Sequence, residues 1–448
     1  MNTKIRFVVY NAYGIGGTVK TIFNFANYFY GTGKYDVEVI SIKRTKDKPT
    51  LPINPGVKLT VVYDARKNIK YTEEEYRLLN EPSELIDPEE DLYVMFSKYV
   101  DIKLMEILNS LHDGILVTTM PSLNVIAAKY VDKNVLTIGQ EHKSYADHTP
   151  GIQKLIRENY GQLDALTILT ERNKKVYQRK IKEDIPIYVL GNGTERLKYR
   201  SNLKNHVLVA AGRYADQKGY DMLIKSFGKI AKDFPDWKLK IYGEGSLAPE
   251  YIKLIQEYNI ESQVVLEPGS DKMNEKLSEA SIHVCSSYFE PFGMVIIEGF
   301  ALGVPCVSFA CDGPVEIIKD GYDGIVVPKE DIDALADAMK KVMADEEYRQ
   351  MLGKNAYETA KKYDISTIGH NLQIIVEKEM DSLILRQKNA VIANESMDEN
   401  VVALEEEVCE KTYIDYEQYI RETASGRVGL KVILIMLKSW FAFKVKNK

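Results

Sequence analysis

At 448 residues the chain is longer than a single hydrophobic core usually organises, so two domains are expected. A hydrophobic fraction of 45% with 28% charged residues is that of a globular protein, and the net charge of −6 gives no reason to expect nucleic acid as the main partner. Cys285, Cys306, Cys311 and Cys409 contain no C-x-x-C pair and sit at no zinc spacing, which argues for reduced thiols in a cytoplasmic protein and against a disulfide framework or structural metal.

In the first half, short β-rich runs alternate with helical patterns, with strands expected at 5–11, 37–42, 58–62, 114–118, 134–139 and 165–169. That rhythm is the signature of βαβ units and a parallel sheet. The opening MNTKIRFVVYNAYG enters its first strand without an apolar stretch ending in a cleavage site, so no secretory signal is expected. NAYGIGGTVKTIFNFANYF then sets Gly16, Gly17 and Thr18 at a turn opening an amphipathic helix. Small residues let the backbone approach a phosphate, and the helix start offers free N–H groups, although the spacing lacks the third glycine of a dinucleotide fingerprint. An acidic, tyrosine-containing stretch at 71–93 interrupts the alternation and reads as a surface excursion. In VLTIGQEHKSYADHTPG, His142 lies just past a strand, where an imidazole can meet a ligand hydroxyl or a developing charge, with Glu141 beside it. The basic run from Arg172 to Lys182 is the pattern of a solvated helix face. Because the strand before it should end at the cleft, an acceptor-phosphate role is also open.

The polar segment 191–205 reads as a linker, and a second series of strands follows at 207–211, 238–242, 264–266, 282–285, 304–309 and 324–327. A cleft between two such domains should face the carboxyl ends of both sheets. HVLVAAGRYADQKGYDM places Arg213 directly after a strand and Lys218 five residues on, two cations able to neutralise a diphosphate without a metal. KLKIYGEGSLAPE ends a strand with Tyr242, Gly243 and Glu244, and VVLEPGSDKM ends the next with Pro268 and Gly269; such strand-end loops line nucleotide clefts. SSYFEPFGMVIIEGFALGVPCVSF sets Glu290 at a strand-to-helix corner and Glu298 eight positions later, about one turn into the helix. Two acids at two depths suit a ligand with two hydroxyl-bearing parts, such as a nucleotide sugar. Asp331 and Asp333 form an Asp-x-Asp that reads as a helix start rather than a metal site.

A long helical run is expected from 332 to about 385, and beyond it a tail split in sign. Residues 397–410 carry six acids and no base, and 421–448 carry seven bases and one acid, ending VGLKVILIMLKSWFAFKVKNK. Lys431, Lys438 and Lys444 interrupt its apolar positions and Trp440 and Phe441 lie among them, so an interfacial helix is expected rather than a membrane span.

The Glu-x7-Glu pair within EPFGMVIIEGFALGVP resembles the signature of retaining glycosyltransferases of family 4, which have two Rossmann-like domains (the GT-B architecture). The resemblance covers about residues 1–385 and is strongest from 211 to 328. It implies an α/β fold of two doubly wound domains around a deep cleft: 1–190 on the acceptor side, 191–385 on the donor side with return helices, and 386–448 as a helical tail. It also implies a metal-independent transferase with no cofactor beyond a nucleotide diphosphate sugar, UDP-linked by expectation. Arg213 and Lys218 would hold the donor phosphates, Gly16, Gly17 and Thr18 would approach them, and Tyr242, Gly243, Glu244 and Pro268 would lie along the nucleobase. Glu290 would bind sugar hydroxyls with the backbone of Phe292, Gly293 and Met294, Glu298 the ribose, and His142 would stand near the sugar. The glycine-rich opening and basic tail are similar to family 4 enzymes that decorate polyol-phosphate polymers such as teichoic acid. That similarity implies a polymeric or lipid-linked hydroxyl acceptor made at the inner face of the membrane; the basic, apolar C-terminal helix is expected to hold the chain there peripherally, with packing in a homo-oligomer as an open option. A capsule or glycolipid acceptor and a nucleotide-sugar epimerase of the same architecture are the alternatives.

Overall fold

The structure is a computed structural model that describes residues 2–389; the tail expected to bind an anionic membrane lies outside the described residues. In the first half the elements run β1 (Thr3–Val9), α1 (Gly17–Gly31), β2 (Tyr35–Arg44), β3 (Lys58–Asp64), α2 (Glu73–Asn80), α3 (Lys98–Asn109), β4 (Ile115–Thr118), α4 (Pro121–Tyr130), β5 (Leu136–Glu141), α5 (Pro150–Asn159), β6 (Ala165–Ile168), α6 (Glu171–Lys180) and β7 (Ile187–Val189). Its seven strands are parallel, in the order β3-β2-β1-β4-β5-β6-β7. β4, β5 and β6 are buried at every position, and β4 and β6 accordingly read as nearly continuous apolar runs rather than alternations. β7, at three residues, is too short to leave a periodic signal and escaped the sequence reading.

The second half runs β8 (Val207–Ala211), α7 (Tyr220–Ile230), β9 (Lys238–Tyr242), α8 (Ala248–Glu257), β10 (Val264–Glu267), α9 (Met273–Ser278), β11 (Ile282–Cys285), α10 (Met294–Ala301), β12 (Cys306–Phe309), α11 (Asp312–Ile317), β13 (Gly324–Val327), α12 (Ile332–Ala344) and α13 (Glu346–Ala360), followed by a helix α14 from 365 to the last described residue, 389. Its six parallel strands are ordered β10-β9-β8-β11-β12-β13. In each sheet the order reverses beside the first strand of its half, the switch point at which doubly wound folds bind ligands.

The run expected from 332 to 385 is three helices. Asp331 caps α12 by accepting from the Ala334 N–H at 2.9 Å, and Asp333 pairs with Lys229, so the Asp-x-Asp serves a helix start as read. The chain crosses between domains twice at one place: Thr194 donates to Tyr363 O (2.8 Å) and accepts from Ile365 N (2.9 Å). Beyond that crossing, Ile368, Leu372, Ile375, Val376 and Leu383 pack into the core of the first domain with Phe25 and Phe29. Residues 365–383 thus pack with the first domain although they follow the second in sequence.

The excursion at 71–93 folds back onto α3. A capping box between Thr72 and Glu75 starts α2, and buried Asp101 accepts from the Ser83 hydroxyl (2.7 Å) and the Glu84 N–H (2.7 Å). Cys285, Cys306 and Cys311 are buried free thiols.

Candidate active site between the two sheets

The centre of the site is the corner between β11 and α10. Gly293 occupies it at φ 107°, ψ 62°, a left-handed conformation, and a Cβ there would lie 2.7 Å from Ile296 Cδ1. α10 starts immediately after at Met294, so its first-turn N–H groups point away from the helix body. Phe292 is buried against Ile296, Ile297 and Phe300, which anchors the turn from below.

Glu290 stands at the rim of this corner with its side chain 14% exposed, and Lys218 Nζ donates to its Oε2 at 2.6 Å; the Ser287 hydroxyl donates to the same oxygen at 3.3 Å. Lys218 comes from the other strand end. Gly219, at φ 58°, turns the chain into α7 there, and Ser286 Oγ donates to Lys218 O at 2.9 Å. Burial works to depress the Lys218 ammonium, but the Glu290 carboxylate outweighs it and raises the pKa above the ordinary lysine value. Arg213, from the same loop, is exposed and has no ion-pair or hydrogen-bond partner for its guanidinium among the described residues. Its charge repels Lys218. The result is an acid neutralised by one cation with a second left unbalanced beside it, an electrostatic setting that favours an incoming anion.

Glu298, one turn into α10, is only 4% exposed, so the two acids do lie at different depths. Its partner was missed by the sequence reading: Lys20 Nζ, from the first helical turn of α1, donates to Glu298 Oε1 at 2.7 Å and so joins the two domains. A single lysine inside an amphipathic helix pattern carries no sequence signal for a contact 278 positions away.

Gly16, Gly17 and Thr18 open α1 against the same corner. Gly17 faces Met294, whose Cγ would be 3.6 Å from an added Cβ, and Thr21 Oγ1 lies 3.8 Å from Met294 Sδ. Gly16 has an extended backbone at φ 168°, so the turn does not require left-handed geometry there; an added Cβ would meet nothing within 4 Å. α1 has no side-chain N-cap, which leaves its first-turn N–H groups free for an anion.

His142 follows β5 on the opposite wall. It is half-buried, its Nε2 is shielded from solvent without a hydrogen-bond partner, and the same is true of Gln140 Oε1 two residues earlier. Burial pushes the His142 imidazole down to about 4, so at neutral pH it offers a neutral hydrogen-bonding group rather than a cation. Glu141 points the other way, as strand alternation requires. It is 2% exposed and accepts from Tyr160 OH and Asn124 Nδ2 (3.2 Å), with His148 Nε2 at 3.1 Å. Glu141 therefore belongs to the interior of the first domain.

On the nucleobase side, Tyr242 is 5% exposed and packs under the sheet with Val209 and Leu277, so its ring serves the core. Gly243 N donates to Glu267 O at 2.9 Å, Glu244 is exposed with its carbonyl accepting from Tyr214 N at 2.8 Å, and Pro268 is exposed in the next loop. Tyr214, which the sequence reading passed over beside Arg213, ties these loops together. Its hydroxyl reaches both Ile241 O (2.8 Å) and Glu267 O (2.9 Å), and burial pushes its pKa up to about 12.

The far edge of the cleft is closed by Asp312 at the start of α11, which accepts from Ser144 Oγ (2.8 Å) and Asn173 Nδ2 (3.2 Å) and pairs with Arg172 (3.2 Å). Two cations, a corner acid and a free helix start thus converge from the carboxyl ends of two doubly wound sheets. Residues 192–359 match the family model for glycosyl transferases group 1.

That match spans all of the corner and both cations. An exopolysaccharide phosphotransferase of Streptomyces coelicolor is 30% identical over 378 residues; the alignment covers 82% of this chain, and this chain spans 40% of that protein. A poly(glycerol-phosphate) alpha-glucosyltransferase of Bacillus subtilis is 23% identical, covering 60% of this chain and 42% of that protein. Among solved structures, a glycine-to-arginine mutant of S. aureus TarM in complex with fondaparinux, alpha-GlcNAc-glycerol and UDP superposes with a TM-score of 0.68 at 16% identity, covering 84% of this chain and 99% of that one. The fold is the GT-B architecture.

Proposed function

We propose that this protein transfers a hexosyl group from a nucleotide diphosphate sugar to a hydroxyl of a cell-envelope acceptor, of the teichoic-acid-like polyol-phosphate type, with retention of configuration. The observation that carries the reading is the Lys218–Glu290 pair at 2.6 Å in the Gly293 corner, with Arg213 unbalanced beside it. In this reading the donor diphosphate settles between Arg213, Lys218 and the start of α1. Charge that develops on the leaving phosphate is met by cations already in place, the form of electrostatic stabilisation that costs no reorganisation at the moment of reaction. Lys218 then divides its three protons between phosphate and Glu290, whose carboxylate accepts from sugar hydroxyls. Glu298 would exchange Lys20 for the ribose hydroxyls. Neutral His142 and Gln140 line the sugar pocket with hydrogen-bonding groups that have no partner among the described residues. A donor phosphate oxygen would take the acceptor proton by front-side displacement, so no side chain acts as covalent nucleophile. The two named relatives that act on exopolysaccharide and poly(glycerol phosphate) support an envelope polymer as acceptor, and the UDP complex of the TarM structure supports a uridine donor.

The test incubates full-length protein with labelled UDP-glucose, UDP-N-acetylglucosamine and their guanosine counterparts, with and without poly(glycerol phosphate), in the presence of EDTA. Label is expected in the polymer in α-linkage from an α-linked donor. Abolition by EDTA with restoration by magnesium or manganese would overturn the metal-independent mechanism, and release of a free sugar epimer without acceptor would identify an epimerase instead.

A further inference from the structure

The helix α6 carries Arg172, Lys175 and Arg179 at spacings of three and four, which stacks them along one face about 5–6 Å apart. All three are exposed. That face borders a cleft open to solvent. Together with Val176 it forms one wall of an open cavity of about 500 Å³, whose other wall is Val315 and Glu316 of α11 in the second domain. Arg172 is engaged with Asp312, whereas Lys175 and Arg179 have no carboxylate partner among the described residues. The one acid in the lining, Glu316, turns an oxygen to the Glu171 N–H at 2.7 Å. Lys175 and Arg179, without a carboxylate partner, against one committed carboxylate leave the cavity positive.

Its position links it to the corner. Gly313 N donates to Glu290 O at 2.9 Å, so α11 begins on the backbone of the corner acid, and Val315 and Glu316 lie within the next turn of that short helix. The groove is built from elements other than the Arg213–Lys218 loop, so it is not a second view of the donor phosphate site. Cations beside the aliphatic Val176 and Val315 suit a chain that alternates anionic phosphate with aliphatic carbon, and α6 offers successive turns to successive charges. We propose that this groove is the subsite that holds an acceptor polymer with repeated phosphodiesters alongside the Glu290 corner. The inference rests on the transfer reading for the chemistry at the corner, but the binding itself does not.

The experiment measures binding of a fluorescently labelled poly(glycerol phosphate) oligomer to the full-length protein by anisotropy, in Lys175→Glu/Arg179→Glu and in a charge-matched control, Lys204→Glu/Lys253→Glu, on exposed sites of the second domain. Unfolding midpoints confirm that each variant is folded. The groove variant is expected to bind about tenfold more weakly, the control within about twofold of the parent, with the difference shrinking as salt rises. Failure of the parent to bind, equal losses in both variants, or unchanged binding in the groove variant would each overturn the subsite. Flotation with phosphatidylglycerol vesicles separates the other source of phosphate: if the groove variant loses vesicles yet keeps the oligomer, the groove is a membrane contact and the proposal fails. Groove-dependent binding without any sugar transfer would uphold the subsite and reject the transfer reading.

Discussion

At the residue scale, the site is governed by two lysine–glutamate pairs that do different work. Lys218 and Glu290 are both partly accessible, at 21% and 14%, so a ligand can insert its own charges between them. Glu290→Gln keeps a hydrogen-bonding group but removes the charge that holds Lys218 in place and that, in the proposed reaction, accepts from the sugar. Turnover is expected to fall by about two orders of magnitude or more, roughly 2.7 kcal/mol of transition-state stabilisation, in a protein that still unfolds cooperatively. Steady-state kinetics with the preferred donor check this; near-parental kcat in a folded variant would take Glu290 out of the site. Lys20 and Glu298 form a more sheltered pair, with Glu298 at 5% side-chain exposure. Lys20→Met strands that carboxylate, and because Lys20 itself keeps 27% exposure the expected cost is on the order of 2 kcal/mol, below that of a fully buried pair. Urea unfolding measures it, and Lys20→Met/Glu298→Gln should recover most of the loss because both charges are then gone.

At the scale of elements, the corner between β11 and α10 depends on one backbone conformation. Gly293→Ala puts a Cβ at φ 107° and against Ile296, which is expected to cost about 1–3 kcal/mol and to swing Glu290 and the first-turn N–H groups of α10 together. The prediction is a lowered unfolding midpoint with a loss of kcat larger than the stability change alone explains. Activity and stability that both stay parental would show that α10 can start without the left-handed turn. This corner was legible in the chain because its signals are local: an acid, a Pro-Phe-Gly turn, an apolar helix and a buried strand in order. The brace made by Tyr214 was not, since the ends of β9 and β10 that it joins are brought beside it only by the order of β8, β9 and β10.

At the scale of the whole molecule, the two domains are held by polar contacts from α1, the loop after β5, and α6 to α10 and α11, and by the double crossing at Thr194. Among the described residues no helix is long and apolar enough to cross a membrane. The segment 428–446, outside the described residues, carries the basic and apolar pattern of an interfacial helix, to which each basic residue contributes on the order of 1 kcal/mol at an anionic surface. Full-length protein is therefore expected to float with phosphatidylglycerol vesicles at low salt, and a chain ending near Ser425 to remain behind. Equal flotation of both, or of neither, would remove the membrane role, and loss of an oligomer in the shortened chain would point to subunit packing.

The alternation of strands and helices, the two-domain division, the Gly293 corner and the cations after β8 are properties of short windows, and the sequence by itself determined them because propensity, turn geometry and burial pattern act over a few residues. Pairings across the cleft were decided only by tertiary structure. Lys20 and Glu298 sit 278 positions apart, and Ser144 and Asp312 sit 168 positions apart. Each depends on which sheet edges and helix faces the fold sets against one another, and no local pattern encodes that.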